Sequence, residues 1–491
     1  MGESVSRNTD GRQNAFEDSS ETLETYRTLP GHERSAMRRQ SLRAIALAVS
    51  LTVPWVLSYL ATTVLPALGF AAPALFANMS TLTTVAVSGL SVLGASFLLA
   101  WGAETAEKDV PRAFAIAVLA ILAVAPEYAV DALYAWNAGV FAGTERGVEA
   151  GNLAVANMTG ANRILIGIGW AGIALFTLFR SGASRDPAVE QRSGFLSDVV
   201  TIDRDIGLEI VFLLAATVWA FLVPLNGGID IFDMIFLVGL YVAYIVIVLR
   251  GDVDPEEEHV GVPAYLQTFP RPQRVASVVL LFLYSGLMIF TAVEPFAHGL
   301  EKLGTDIGVP SFFMIQWIAP LASESPELIV VAYLVNKARS TAGFNALISS
   351  KLNQWTLLIG TLVVVYSIAL GRYGVLPFDE KQAAEIWLTA AQSFFAISIL
   401  VNFEISVREA VALLVLFVSQ VGLEFVIIRD LAAVPFTSLE LLLAYSVIYV
   451  LLGGVLFAAR WQSFRRLFRR TIGTISAAFS TGGEQPRSEA D

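Results

Sequence analysis

Two Pro-Glu pairs, Pro126-Glu127 and Pro326-Glu327, stand 200 residues apart in this chain, each inside a long apolar run. An acid at the centre of a membrane helix costs about 2.5–3.5 kcal/mol even on mild scales, so such a residue implies a bound cation or a proton. The prolines lack an N–H and disrupt the helical ladder one turn back, which frees carbonyl oxygens to act as ligands. Further oxygen donors sit at helical spacing. Asp131 follows Glu127 by four residues on the same face, and Glu324 and Ser323 precede Glu327 by three and four. Carboxylates, hydroxyls, carbonyls and amides form the hard, flexible ligand set that suits calcium or sodium. Zinc and copper would need thiolates or grouped histidines, but the chain has no cysteine and its histidines, His32, His259 and His298, are scattered.

The elements that must hold these residues follow from composition. The 491 residues are 55% hydrophobic and 15% charged, and the mean hydropathy is +0.64, which excludes a soluble globule of this size. Runs such as Val211 to Val223 and Val278 to Phe290 are apolar on every side, so they read as helices in lipid rather than as barrel strands of alternating polarity. Apolar runs of helix-spanning length predict an all-α, polytopic membrane protein of about 12 transmembrane helices. They fall near 42–61, 84–102, 113–139, 152–179, 207–224, 229–249, 275–296, 309–335, 346–370, 384–402, 409–428 and 437–459. Segment 62–80 is also apolar and either lengthens the first span or forms a re-entrant piece.

Basic residues set the expected orientation, because arginine and lysine accumulate in cytoplasmic loops. Arg38, Arg39 and Arg43 precede the first span, and alternate loops carry Lys108 and Arg112; Arg180, Arg185, Arg192 and Arg204; Arg250, Arg271 and Arg274; Lys337 and Arg339; and Arg408. The tail adds Arg460, Arg465, Arg466, Arg469 and Arg470. Both termini are therefore expected in the cytoplasm, with the chain in the cell (inner) membrane. Residues 1–40 are hydrophilic, so no cleavable signal peptide is expected at the start and the first span does the targeting. The formal charge of −11 includes an acidic run, Asp252 to Glu258, which reads as a solvated face.

The chain repeats itself. Asp109-Val-Pro-Arg-Ala-Phe-Ala-Ile leads to Ala125-Pro126-Glu127-Tyr128, as Gly308-Val-Pro-Ser-Phe-Phe-Met-Ile leads to Ser325-Pro326-Glu327-Leu328. Asn162-Arg-Ile-Leu-Ile-Gly-Ile-Gly169 then aligns with Asn353-Gln-Trp-Thr-Leu-Leu-Ile-Gly360. Each repeat would hold five helices, with one extra helix at each end of the chain. An odd number of crossings reverses direction, so the two repeats are expected to be inverted, as alternating access requires.

These segments resemble the sodium/calcium exchangers of the cation/calcium exchanger superfamily, in a prokaryotic form. The resemblance is carried by Pro126-Glu127-Tyr128, Gly151-Asn152 and Gly160-Ala161-Asn162 in the first repeat. In the second it is carried by Ser323-Glu324-Ser325-Pro326-Glu327-Leu328 and Ser349-Ser350-Lys351-Leu352-Asn353-Gln354. It implies Glu127 and Glu327 as main cation ligands, with Ser323, Ser350, Thr159, Asn162, Asn353 and Gln354 as secondary ones. Departures from the pattern matter as well. Ala123 and Val124 replace hydroxyls, Glu324 and Asp131 replace others, and Arg163 falls where the family has an amide or carboxylate facing the ions. A fixed positive charge at Arg163 would fill part of the cage, lower the number of bound ions and make proton coupling plausible.

The expected layout is a cytoplasmic tail at 1–41, the extra first helix and loop at 42–83, a first exchanger repeat at 84–250, a cytoplasmic linker at 251–274, a second repeat at 275–428, and the last helix and tail at 429–491. The expected activity is secondary antiport of calcium against sodium or protons at shared carboxylates, by a transporter rather than an enzyme. No Gly-rich phosphate loop is present, so no cofactor is expected beyond the transported ions; inorganic cations and membrane lipid are the expected partners, with no nucleic acid. A sodium/proton antiporter using the same acids is the alternative. An intramembrane aspartyl protease would use aspartates in a Gly-x-Gly-Asp motif, which is absent. The bland readings are helix-bracing acids at Glu127 and Glu327, a salt-bridge partner for Arg163 in Asp131 or Glu324, and interhelical polar contacts at Glu404, Gln420 and Glu424.

Overall fold

The computed structural model describes residues 31–71, 73, 76, 79–109, 125–180, 186–250, 261–336, 338–433 and 435–480. The predicted N-terminal tail to residue 30, the leader Val110 to Ile116, Ala123 and Val124, Arg185, the acidic run Asp252 to Glu258 and Lys337 lie outside them. The described chain is nearly all helical.

By length and composition, ten helices among the described residues can cross a membrane, and eleven if the bent pair Ser311–Ser325 and Glu327–Asn336 is one span. In order these comprise α1 (Gly31–Tyr59, prolonged by turns to Ala67), α2 (Thr81–Ala106), α4 and α5 (Glu145–Ile164 and Ala171–Arg180), α6 (Gly207–Ala220) and α7 (Ile231–Arg250). After a short α8 (Val262–Gln267) come α9 (Arg271–Asp306), the bent α10 (Ser311–Asn336), α11 and α12 (Ser340–Asn353 and Ile359–Leu370), α13 (Glu380–Leu400), α14 (Val407–Ile428) and α15 (Ser438–Ala459). A further helix, α16 (Trp461–Ser480), closes the described chain. The predicted third span is described only from Ala125, as α3 (Ala125–Val140).

Short strands test the parity of these crossings. In one sheet β2 (Val199–Thr201) pairs with β1 (Val189–Glu190) and with β5 (Glu404–Ser406); in another β3 (Gly228–Ile229) pairs with β4 (Leu376–Pro377). Two loops that exchange backbone hydrogen bonds lie on one side of the membrane, so an even number of spans separates them. Between β3 and β4 lie α7, α9, α10 and the α11–α12 helix, which is even only if the bent α10 crosses once.

Local chemistry sets the helix ends. Ser406 with Glu409 and Thr437 with Glu440 form capping boxes at the starts of α14 and α15. Gly371 closes α12 in a left-handed conformation at φ 73°. Both α4 and α11 run into a π-helical turn, Leu165–Trp170 and Gln354–Leu358, within one turn after the repeat-aligned Asn162 and Asn353. Such turns recur at functional sites because they redirect side chains at the cost of the regular ladder.

The chain divides into two compact units. One takes residues up to 77, 90–123 and 257–291. Its core joins Ala48, Leu98 and Trp101 to Val262, Tyr265 and Leu266, so the described end of the predicted linker is packed against α1 and α2. Arg274 grips Asp109 through two charge-assisted bonds of 2.6 Å.

The other unit takes 78–89, 124–256 and 292–491. Within it α3 packs on α12 and α4 packs on α10, so each half lends its Pro-Glu helix to the other half's asparagine helix. Glycine permits both crossings. A Cβ on Gly139 would lie 2.5 Å from the Tyr366 carbonyl oxygen, and one on Gly160 would lie 1.8 Å from that of Gln316. Backbone cannot yield as a flexible side chain does, so overpacking here is costly. Gly160→Ala is therefore expected to lower the yield of monodisperse protein and its Tm. Gly172→Ala, where a Cβ meets nothing within 4 Å, is expected to change neither. Equal behaviour of the two variants would show that the α4–α10 approach is not as tight as described. Helix α13 is the buried helix of this unit: 83% of its apolar window is covered, against 22% for α14.

Candidate functional site

The acids are positioned by α3 and by the bend of α10. The two segments of α10 meet at 53°, and Pro326 stands at the break, where its missing N–H removes the bond that would keep the helix straight. Glu327 opens the second segment, at the end of a helix dipole that favours a negative charge.

Glu127 is 3% exposed, and Glu327 and Asp131 both lie within Coulombic reach of its carboxyl, with the Ser323 hydroxyl within hydrogen-bonding reach. The two Pro-Glu glutamates therefore come together from different halves of the chain. Glu324, 1% exposed, lies within Coulombic reach of both. The Ser350 hydroxyl donates to Glu327 Oε2 at 3.0 Å, and the Gln354 amide donates to Glu324 Oε1 at 2.7 Å. Tyr128, at the position after the first Pro-Glu, donates its hydroxyl to Asn353 Oδ1 at 3.2 Å and so ties α3 to α11. Glu127 Oε2, Asp131 Oδ2 and Gln354 Oε1 are buried without a hydrogen-bond partner, three acceptors with capacity to spare.

Among the described residues no three aspartate, glutamate, histidine or cysteine groups close into a metal cluster. A cation there would take its oxygens from carboxylates together with hydroxyl and amide groups, the mixed set that calcium accepts.

Three of the predicted ligands turn elsewhere. Thr159 spends its proton on the carbonyls of Val155 and Ala156 on its own helix. Asn162 Oδ1 accepts from Lys351 Nζ at 3.0 Å. Arg163 donates to Glu385 Oε2 at 2.6 Å and to Gln420 Oε1, and its guanidinium lies 4.9 Å from the Trp317 ring. Its partners are thus α13, α14 and α10, and neither Asp131 nor Glu324 is among them. The Gly151-Asn152 segment serves the start of α13, where Asn152 exchanges two 2.8 Å bonds with Asp379.

Sequence reasoning missed four residues. Asn157 donates to Asp131 Oδ1 at 2.9 Å, and Tyr128 reaches Asn353. Glu385 is the carboxylate that receives Arg163. Lys351, fully buried, has its side-chain nitrogen 4.7 Å from the Trp355 ring and within Coulombic reach of Glu324, so it is the basic residue beside the acids. A signal was present for Asn157, which sits five residues before Asn162 in an otherwise apolar stretch. None was present for Glu385.

A family profile described as sodium/calcium exchanger protein matches residues 79–250 and 277–426. The crystal structure of the H+/Ca2+ exchanger CAX matches at 42% identity and a TM-score of 0.75, covering 90% of this chain and 99% of that one. The sodium-calcium exchanger NCX_Mj, soaked with Na+ and Sr2+, matches at 16% identity and a TM-score of 0.44, covering 70% of this chain and 99% of that one. No curated protein matches.

Proposed function

We propose that this chain, which belongs to the sodium/calcium exchanger protein family, is a secondary antiporter that moves calcium against protons through one carboxylate cage opened alternately to either side. The observation that carries the reading is the meeting of Glu127, buried, and Glu327, half-buried, acids delivered by helices from the two halves. Glu127 and Glu327 are the main ligands in this reading. Asp131, Glu324, Ser323, Ser350, Asn353 and Gln354 complete the cage, while Thr159, Asn162 and Arg163 support it from outside.

Charge explains the exchange. Three buried carboxyls, those of Glu127, Asp131 and Glu324, gather with the half-buried one of Glu327, and like charges in low dielectric repel strongly. Calcium relieves that repulsion, and so do protons; both need the same oxygens, so one must leave before the other binds. An empty, fully ionised cage is the costly state to carry through the membrane. Protons rather than sodium are favoured by the number of carboxyls and by the 42% identity to an H+/Ca2+ exchanger. In the cell membrane, with both termini cytoplasmic, the direction would be calcium export.

Reconstituted protein in sealed vesicles tests this with radiolabelled calcium. An imposed proton gradient, acid inside, is expected to accelerate calcium uptake, and the calcium concentration for half-maximal uptake is expected to rise as external pH falls. Acceleration by internal sodium alone would replace protons with sodium as the coupling ion. Absence of calcium flux under either gradient, with sodium/proton exchange intact, would overturn the calcium assignment.

A further inference from the structure

Helix α16 has three faces. Leu467, Thr471 and Ala478 are buried, and the helix packs on α6, α7 and α15; Thr471 Oγ1 donates to the Gly207 carbonyl at 3.4 Å, and Arg250 lies 4.8 Å over the Phe479 ring. A second face carries Trp461, Phe464, Phe468, Ile472, Ile475 and Phe479, spaced three or four apart as one helical stripe. Trp461, Phe468, Ile472 and Phe479 are 46–56% exposed. The third carries Arg465, Arg466, Arg469 and Arg470, all exposed and without a carboxylate partner among the described residues; Arg466 finds only the Ser463 hydroxyl, at 3.2 Å.

The neighbours fix where this helix lies. It follows the end of α15 after one residue, and it touches the start of α6 at Gly207 and the end of α7 at Arg250. Three membrane helices thus present their ends to it, which places it at one membrane surface. An exposed aromatic and aliphatic stripe beside four guanidinium groups that meet no carboxylate among the described residues suits one occupant there. We propose that α16 lies in the membrane interface and binds anionic phospholipid headgroups, with its apolar stripe in the acyl boundary and its arginines on the phosphates. A basic stripe needs negative charge, the described residues offer these arginines no carboxylate, and the adjoining surface is lipid.

The 491-residue chain has no cysteine, so Ile472→Cys gives a single labelling position on the stripe. Labelled protein goes into nanodiscs of phosphatidylcholine, with or without phosphatidylglycerol, containing nitroxide on the acyl chains. Strong quenching with the anionic lipid, weaker quenching without it and further weakening by salt are expected. Replacing the four arginines with glutamine should lower phosphatidylglycerol retention in native mass spectrometry by roughly tenfold or more, and replacing them with lysine should restore much of it. Lysine rescue separates charge from misfolding. Quenching indifferent to lipid charge, displacement of lipid by free glycerol phosphate at equal phosphate concentration, or protection of the label by a cross-linkable second copy would each overturn the assignment.

Discussion

Glu327→Gln is expected to reduce calcium transport by more than about a hundredfold while leaving the folded protein intact. Outer groups that merely orient a ligand already cost about 10–100-fold in metal affinity when lost, so a direct carboxylate ligand should cost more. Gln keeps the shape and an acceptor for the Ser350 hydroxyl, which donates at 3.0 Å, so the local packing has little reason to fail. It removes one negative charge from a group that includes Glu127 and Glu324, both buried. The apo variant should therefore melt no lower than wild type. What it should lose is the rise in Tm that calcium produces, because a ligand stabilises only the state that binds it. Glu127→Gln should behave alike, and Glu327→Asp should retain part of the transport. Full calcium protection in either Gln variant would mean that these acids hold helices together and do not hold the ion.

Much of this site was legible because its signals are local and doubled. Proline beside glutamate inside an apolar helix is costly, and a second copy 200 residues on makes chance a poor account of it. The helix pairing was not legible; that α3 would meet α12 and α4 would meet α10 depends on glycines at positions 139 and 160, whose need for close approach cannot be read along one strand of sequence. Charge placement was the least legible. Arg163 aligned with cage positions, but an arginine reaches several ångströms in any direction, and its partner Glu385 lies 222 residues away in a helix with no motif. Lys351 read as one letter of a signature, yet its side chain lies within Coulombic reach of Glu324. Side-chain direction decided both cases, and spacing along a helix constrains direction only to a face.

The Arg163–Glu385 pair yields the second large effect. The two side chains are 2% and 0% exposed and meet at 2.6 Å, while Gln420 receives Arg163 and donates to Glu424 at 2.9 Å. Glu424 in turn lies 3.2 Å from Lys381, so the two cations and two acids neutralise each other along α4, α13 and α14. Removing one partner of such a pair strands the other charge, which costs about 3–5 kcal/mol, whereas replacing both by neutral groups of similar volume is often nearly neutral. Arg163→Met and Glu385→Gln are each expected to lower stability by about that amount, and the double variant should recover most of the loss. A double-mutant cycle on Tm in detergent measures the coupling, and simple additivity would show that the pair contributes no mutual stabilisation. Transport then separates the two roles that the sequence leaves open for Arg163. If it braces helices, the double variant exchanges calcium with unchanged ion coupling per folded molecule. If its charge stands in for a bound cation, the double variant gains an extra proton or sodium per cycle, read as a steeper dependence of flux on the driving gradient. The contacts of Arg163, all with groups on α10, α13 and α14, favour the brace.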